Sequence, residues 1–277
     1  STFKPITALV ALDEGVINPS YGYPCGGGYY ACGRRIGCTH SGGGHARNLA
    51  YAIANSCNAY FCNVYKRIIE NPAFGNAELA YNAWYKYVKE FGFGERLKGD
   101  FTNELPGFIP NSSYYDKYFG RNHWNAFTTI SLSIGQGELL ITPLQMANMA
   151  ACIGNRGYYI TPHVVKSIEG IDTIDRHFKV KHMIDIDTAN FNLVVEGMNM
   201  AVNGGPGRTA GVAQIPGILV CGKTGTAQNP HGKDHSVFVA FAPKDNPKIA
   251  ISVYVEHGEW GASYAAPIAS LMIGCLP

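Results

Sequence analysis

"CGKTGTAQNP", residues 221–230, follows the apolar run Ile218-Leu219-Val220 and sets one lysine among glycines and threonines. A short apolar run bounded by glycine and proline reads as a buried strand, here Ile218 to Lys223, so Lys223-Thr224-Gly225-Thr226 is expected at a strand end. Lysine supplies a cation there and the threonines supply hydroxyl donors. Gly225, lacking a side chain, lets an extended ligand lie against the strand as an added edge. The combination suits a ligand carboxylate, and the Thr226 N–H is placed to face a reacting carbonyl. The competing reading is an ordinary turn entry.

Two further strands follow, Val237 to Ala242 and Ile249 to Val255, the second alternating and β-branched ("IAISVYVE"). The turn "PKDNP" between them predicts an antiparallel meander. Upstream the periodicity is helical: Ser1 to Glu14 (Phe3, Ile6, Val10 and Leu12 apolar), Arg47 to Asn55, Ala59 to Glu70, Ala77 to Phe91, and Asp187 to Asn203. "TPLQMANMAACIGNRG" carries an N-cap threonine at 142, a proline at the first helical position and a stop at Gly154. A small-residue helix, Ala262 to Ile273, closes the chain. Residues 18–44 are rich in Gly, Tyr, Cys and Ser and read as a long irregular loop, and "NSSYYDKYFGRNHWN" as a polar, aromatic one. Helices first and strands late give an α+β fold, helices packed on an antiparallel sheet, with no internal repeat.

The 277 residues are 46% hydrophobic and 15% charged with net charge +2, which predicts a globular chain and gives no basic footprint for nucleic acid. No stretch approaches the roughly 18 apolar residues of a membrane helix and no signal-peptide layout opens the chain, so it is expected to be soluble as it stands. "STFKPITALVALDEG" enters a helical pattern with no leader or cap, which reads as a piece cut from something longer.

Two more motifs carry chemistry. Ser1-Thr2-Phe3-Lys4 sets a hydroxyl and an amine three residues apart, on one face of a helix one turn apart. Lysine can serve as the base for a serine nucleophile once burial or a nearby cation lowers its pKa, and the helix N-terminus favours a developing oxyanion. Ser56-Cys57-Asn58 falls in a break between two helices, where a hydroxyl can relay a proton and an amide can bond a substrate amide. Each motif alone also fits caps, turns or surface helix residues.

Together, Ser-x-x-Lys, Ser-x-Asn and Lys-Thr-Gly resemble, in the same chain order, the set of the penicillin-binding proteins and serine β-lactamases. "STFKP", "SCNAYF", "SIGQGELLITPLQMA", "GKTGTAQ" and "FVAFAP" are similar to the transpeptidase domain of class B penicillin-binding proteins, especially the elongation type, over residues 1–277. The resemblance implies D,D-transpeptidation of peptidoglycan stem peptides through a serine acyl-enzyme, inhibited by β-lactams. The reaction would take place on the periplasmic side of the inner membrane, beside a glycosyltransferase of the elongation machinery. It implies Ser1 as nucleophile, Lys4 as its base, and Ser56 and Asn58 for proton transfer and the substrate amide. Lys223, Thr224, Gly225 and Thr226 would receive the terminal carboxylate and lay the ligand along the strand, and the N–H groups of Ser1 and Thr226 would form the oxyanion hole. Relatives carry two sheet strands, a pedestal domain and a membrane anchor ahead of the serine. The sheet is therefore expected to hold only the three late strands, with one edge unpaired and the anchor outside this sequence.

The same motifs also serve D,D-carboxypeptidases, β-lactamases and non-catalytic penicillin sensors, and a division-type enzyme is the nearest neighbour. "SIGQGELLITPLQMA" favours the biosynthetic branch. A free amine on Ser1 would also fit an N-terminal nucleophile hydrolase, against which Lys4 and the strand motif argue. No cofactor is required by this chemistry. The loop Cys25-x6-Cys32-x5-Cys38-x-His40-x4-His45 holds enough soft ligands for a structural zinc, while a Cys25–Cys38 disulfide and reduced thiols compete with that reading. Some elongation-type relatives hold a metal between the first two motifs, with acidic ligands not found in this loop. Cys57 is expected to pack rather than react. Trp84, Trp124 and the tyrosines around them read as core and loop aromatics. His231, His235 and His257 read as polar rim.

Overall fold

The computed structural model describes residues 1–40, 43–171 and 173–275. The first helix, α1 (Lys4–Asp13), begins three residues later than its periodicity suggests, because Ser1 to Phe3 form a turn in which the Lys4 N–H donates to the Ser1 carbonyl at 3.3 Å. Lys4 to Leu12 are all buried. A helix covered on every side runs through the core rather than over it.

The loop expected after α1 contains a hairpin, β1 (Gly28–Ala31) and β2 (Arg34–Gly37), that escaped the composition argument. Its two-residue turn is Cys32-Gly33, both at positive φ (48° and 73°), the conformation that matches the twist of paired strands. Next come α2 (Leu49–Ala54) and α3 (Asn58–Ile69), capped by the side chains of Asn48 and Cys57. Between them Ser56 takes φ +54°, and this left-handed residue breaks what would otherwise be one helix. Asn76 caps α4 (Ala77–Glu90) in the same manner. The polar stretch expected as a loop forms α5 (Ser112–Phe119), started by Asn111. Tyr115 of this helix is fully buried between the rings of Tyr81 and Trp124.

The helix α6 (Pro143–Gly154) has the expected cap, completed into a capping box by Gln145. A small hairpin, β3 (Tyr158–Ile160) with β4 (Lys181–Met183), precedes α7 (Thr188–Asn203). The main sheet is β5 (Cys221–Ala227), β6 (His235–Ala242) and β7 (Ile249–Val255), an antiparallel meander in that order, closed by α8 (Ala265–Gly274). Alternation along β6 divides the core: Val239 and Phe241 join the large cluster around α1, α3, α4 and α6, while Phe238 and Ala240 face Ala265, Ala266 and Ala269 of α8.

The strand expected at Ile218 to Lys223 starts at Cys221 and runs on to Ala227. Ile218 instead closes a turn with Ile215 across Pro216-Gly217, where Gly217 has φ +79°. Pairing with β6 extends from Cys221↔Phe241 to Ala227↔His235, so the Lys-Thr-Gly-Thr motif lies within the strand rather than at its end. Because β5 is the first strand of the sheet, this motif occupies an edge with backbone groups free to meet other partners. Among the described residues, no helix is long and apolar enough to cross a membrane.

Candidate active site

Four contacts converge on one nitrogen. Lys4, the first residue of α1, is fully buried, and its Nζ lies 3.2 Å from Ser1 Oγ, 2.9 Å from Ser56 Oγ, 2.7 Å from the Ser56 carbonyl and 2.6 Å from Asn58 Oδ1. The left-handed break at Ser56 permits this, since it turns both the Ser56 hydroxyl and carbonyl toward α1 before α3 begins at Asn58. From the strand side, Lys223 is equally buried, and its Nζ reaches the same Ser56 Oγ at 2.8 Å and the Thr224 carbonyl at 3.0 Å. One hydroxyl therefore lies between two amines.

Burial disfavours charge on both amines. It pushes Lys4 down to about 8, with the thiols of Cys57, Cys62 and Cys38 acting in the opposite sense. Lys223 is held well below the ordinary lysine range by burial and then by the neighbouring Lys4. Bond direction tells what a neutral Lys4 would do. The Ser56 carbonyl and Asn58 Oδ1 only accept, so they take the two N–H bonds of an uncharged amine. Its lone pair is then left for the hydroxyls of Ser1 and Ser56. An amine so placed can take a proton from either hydroxyl.

Beside this cluster runs the strand edge. Thr224 and Gly225 are buried and Thr226 is partly exposed. A Cβ on Gly225 would come within 2.9 Å of Thr2 Cγ2, so the absence of a side chain lets β5 close on the turn that carries Ser1. The Thr226 carbonyl accepts a 3.1 Å hydrogen bond from Gln136 Nε2, outside the sheet. In a strand a residue's N–H and C=O project to the same side, so the Thr226 N–H also faces away from β6.

The penicillin binding protein transpeptidase domain model matches residues 1–273. The chain belongs to that family. The peptidoglycan D,D-transpeptidase MrdA of Acinetobacter baumannii is 31% identical over 289 residues, covering 96% of this chain and 40% of that protein. MrdA of Haemophilus influenzae is likewise 31% identical, covering 97% of this chain and 42% of that protein. The chain thus spans about two-fifths of the length of these curated relatives. Among solved structures, PBP2 of Pseudomonas aeruginosa in complex with WCK 5153 superposes with TM-score 0.83 at 33% identity, covering 99% of this chain and 60% of that one. PBP2 of Helicobacter pylori, solved with MreC, gives TM-score 0.77 at 25% identity, covering 100% and 49%. The α+β architecture is therefore that of penicillin-binding transpeptidase domains.

All the residues singled out from the three motifs lie in the cluster around Lys4 or along the adjoining edge of β5. The rim histidines do not enter this cluster: His235 and His257 pair with each other, the His257 N–H donating to His235 Nδ1 at 3.1 Å, and His231 is exposed. Sequence reasoning missed two features. Gln136 was not singled out within its motif, although the glycines on either side of it mark a turn. Cys57, expected to be packing, belongs to a cluster with Cys25, Cys38 and His40 whose donor atoms all lie within 4.8 Å of one another.

In that cluster Cys25 Sγ is 3.6 Å from Cys38 Sγ and 4.0 Å from His40 Nε2, and Cys38 Sγ is 4.0 Å from Cys57 Sγ. Cys32 is exposed in the hairpin turn and stands apart from it. His45 stacks on the His40 ring at 4.2 Å between centroids. The thiol of Cys38 is drawn down to about 5 by its hydrogen bond with Cys57 and by the Ala59 N–H, while the same bond and burial raise Cys57. The loop also reaches the motif directly, because Asn58 Nδ2 donates to the Gly37 carbonyl at 2.7 Å.

With Lys4 titrating at about 8, the neutral, proton-accepting form gains below that pH as pH rises. The rate of Ser1 modification by an acylating probe is expected to climb about tenfold per pH unit up to roughly 8 and then level. Stopped-flow measurement from pH 6 to 9.5 checks this. A flat profile contradicts it.

Proposed function

We propose that the chain is the catalytic domain of an elongation-type peptidoglycan D,D-transpeptidase. The single observation that carries this is the Lys4 amine, buried and in contact with Ser1 Oγ, Ser56 Oγ and Asn58 Oδ1 at once. Neutral Lys4 takes the Ser1 proton as Ser1 Oγ attacks the carbonyl between the two D-alanines of a stem peptide. The N–H groups of Ser1 and Thr226 hold the oxyanion. Lys223, Thr224 and Thr226 receive the terminal carboxylate, with the peptide laid along β5 past Gly225.

Collapse of the tetrahedral intermediate breaks the peptide bond, and the departing D-alanine amine takes a proton through Ser56, whose hydroxyl touches both Lys4 and Lys223. An acceptor amine then attacks the Ser1 ester, forming the cross-link and returning the proton to Ser1. Asn58 Nδ2, anchored on Gly37, is oriented by the hairpin and positions the donor amide. A β-lactam would follow the same first step and stop at the ester.

The names of the relatives, peptidoglycan D,D-transpeptidases, support the reaction. A structural neighbour titled as a peptidoglycan synthase complex coordinating polymerisation and crosslinking, 25% identical, supports a glycosyltransferase partner. On this reading the site works on the periplasmic face of the inner membrane. Labelling with a fluorescent penicillin is the test. The parent is expected to hold a stable adduct that Ser1→Ala loses entirely. Persistent labelling of the alanine variant would falsify Ser1 as nucleophile, and rapid release of hydrolysed drug would point to a β-lactamase.

We also propose that Cys25, Cys38, His40 and Cys57 hold a structural zinc. Sulfurs at about 2.3 Å from a tetrahedral zinc lie about 3.8 Å apart, and the observed 3.6 and 4.0 Å bracket that value. His40 Nδ1 is buried without a partner among the described residues. When bound, the ion would cross-link the hairpin loop to the helix start that carries Ser56 and Asn58. Protein purified with zinc is expected to retain one equivalent, and cobalt in its place to show thiolate charge-transfer absorption that Cys25→Ser with Cys38→Ser abolishes. Retention of the same metal content by that double variant would sink the assignment.

A further inference from the structure

The proposed oxyanion pair draws its two N–H groups from different elements, Ser1 ahead of α1 and Thr226 in β5. Their separation decides whether both can reach one oxygen. The turn Gly135-Gln136-Gly137 touches both sides of that gap. On the Ser1 side, Gly135 has φ +74°, and a Cβ there would lie 2.8 Å from Phe3 Cβ and 3.5 Å from the Ser1 nitrogen. The turn therefore rests directly on the backbone that carries the nucleophile. It is fixed to the core by Leu132 and Ser133, both fully buried, and by the Thr7 hydroxyl donating to the Ser133 carbonyl at 3.2 Å.

On the strand side, Gln136 Nε2 donates to the Thr226 carbonyl at 3.1 Å. The back of β5 is closed by Gly261, where a Cβ would come within 2.6 Å of the Gly225 carbonyl oxygen and 3.0 Å of its nitrogen. Close packing of Gly261 thus holds β5 at Gly225, and one directional bond holds it at Thr226. The bond holds the Thr226 carbonyl on the open side of β5, and because a strand residue's N–H and C=O project to the same side, holding that carbonyl in place keeps the Thr226 N–H on the open side as well. A carbonyl oxygen has two lone pairs, which leaves one for a substrate N–H.

We propose that Gln136 is a positioning residue for acylation: its amide holds Thr226 at the edge of β5 with its N–H turned toward Ser1. This rests on the acyl-transfer reading above and adds a residue to it. Gln136→Met keeps the length of the side chain and removes the donor. Gln136→Glu sets a carboxylate against a carbonyl at neutral pH but regains an O–H donor once protonated, near pH 4.3 for an ordinary glutamate.

The experiment measures penicillin acylation rates of the protein and its Ser1→Ala, Gln136→Met and Gln136→Glu variants from pH 5 to 8.5, with melting midpoints at each pH. Both Gln136 variants are expected to melt within about 3 °C of the parent and to acylate roughly ten- to a hundredfold more slowly at pH 8. Relative to the parent at the same pH, the glutamate variant should recover as pH falls toward 5 while the methionine variant stays slow. A scaffold residue would show no such recovery. Parent-like rates in both variants, a glutamate deficit independent of pH, or a collapsed midpoint would each overturn the assignment. Acylation of Ser1→Ala at the parent rate would instead overturn the acyl-transfer reading itself.

Discussion

Two buried lysines share one serine hydroxyl, and the rest of the site depends on that contact. Neither Lys4 nor Lys223 has a carboxylate in its described contacts, so burial dominates on both, offset at Lys4 only in part by the nearby thiols. The cost of charging such a group is what turns an ordinarily protonated side chain into a base. Around Lys4 the acceptors are neutral oxygens, which orient the amine without restoring its affinity for a proton. The geometry fixes direction and the burial fixes protonation. A surface Ser-x-x-Lys would have only the first.

Each helix and strand that meets the site does so through a local backbone device. A three-residue turn sets Ser1 ahead of α1, a left-handed Ser56 splits α2 from α3, and a missing Cβ at Gly225 admits Thr2. The left-handed serine carries a conformational cost of about 1–2 kcal/mol. It is held there by the two lysines that bond its oxygens, so the strain and the function share the same contacts. The thiol cluster reaches the same break from the outside, with Cys57 sitting between Ser56 and Asn58 in sequence and against Cys38 in space.

Much of this was legible before any coordinates. Lys223, Ser56 and Asn58 stand out through the conjunction of the three motifs in one chain order, since each motif alone also fits a cap or a turn. The three strands and most helices followed from periodicity, Ile249–Val255 to the residue. What stayed hidden depended on partners distant in sequence. The β1–β2 hairpin lies in a glycine-rich stretch with no alternation to betray it, and α5 is built from tyrosines and serines that propensity assigns to loops. Its helix forms because Tyr115 has an aromatic slot to fill. The strand motif was displaced toward the strand interior since register is set by β6, which no local pattern in residues 218–227 reports. Cys57 looked like packing because its sulfur neighbours come from residues 25 and 38.

The most direct measurement of the central claim is the side-chain titration of the lysines by NMR, following Nζ and Cε shifts assigned by substitution. Exposed lysines should titrate near 10.4. Lys4 is expected to lose its proton at about 8 and Lys223 well below the exposed set. If both titrate with the exposed lysines, the amines are charged at neutral pH, and the site has no base for Ser1.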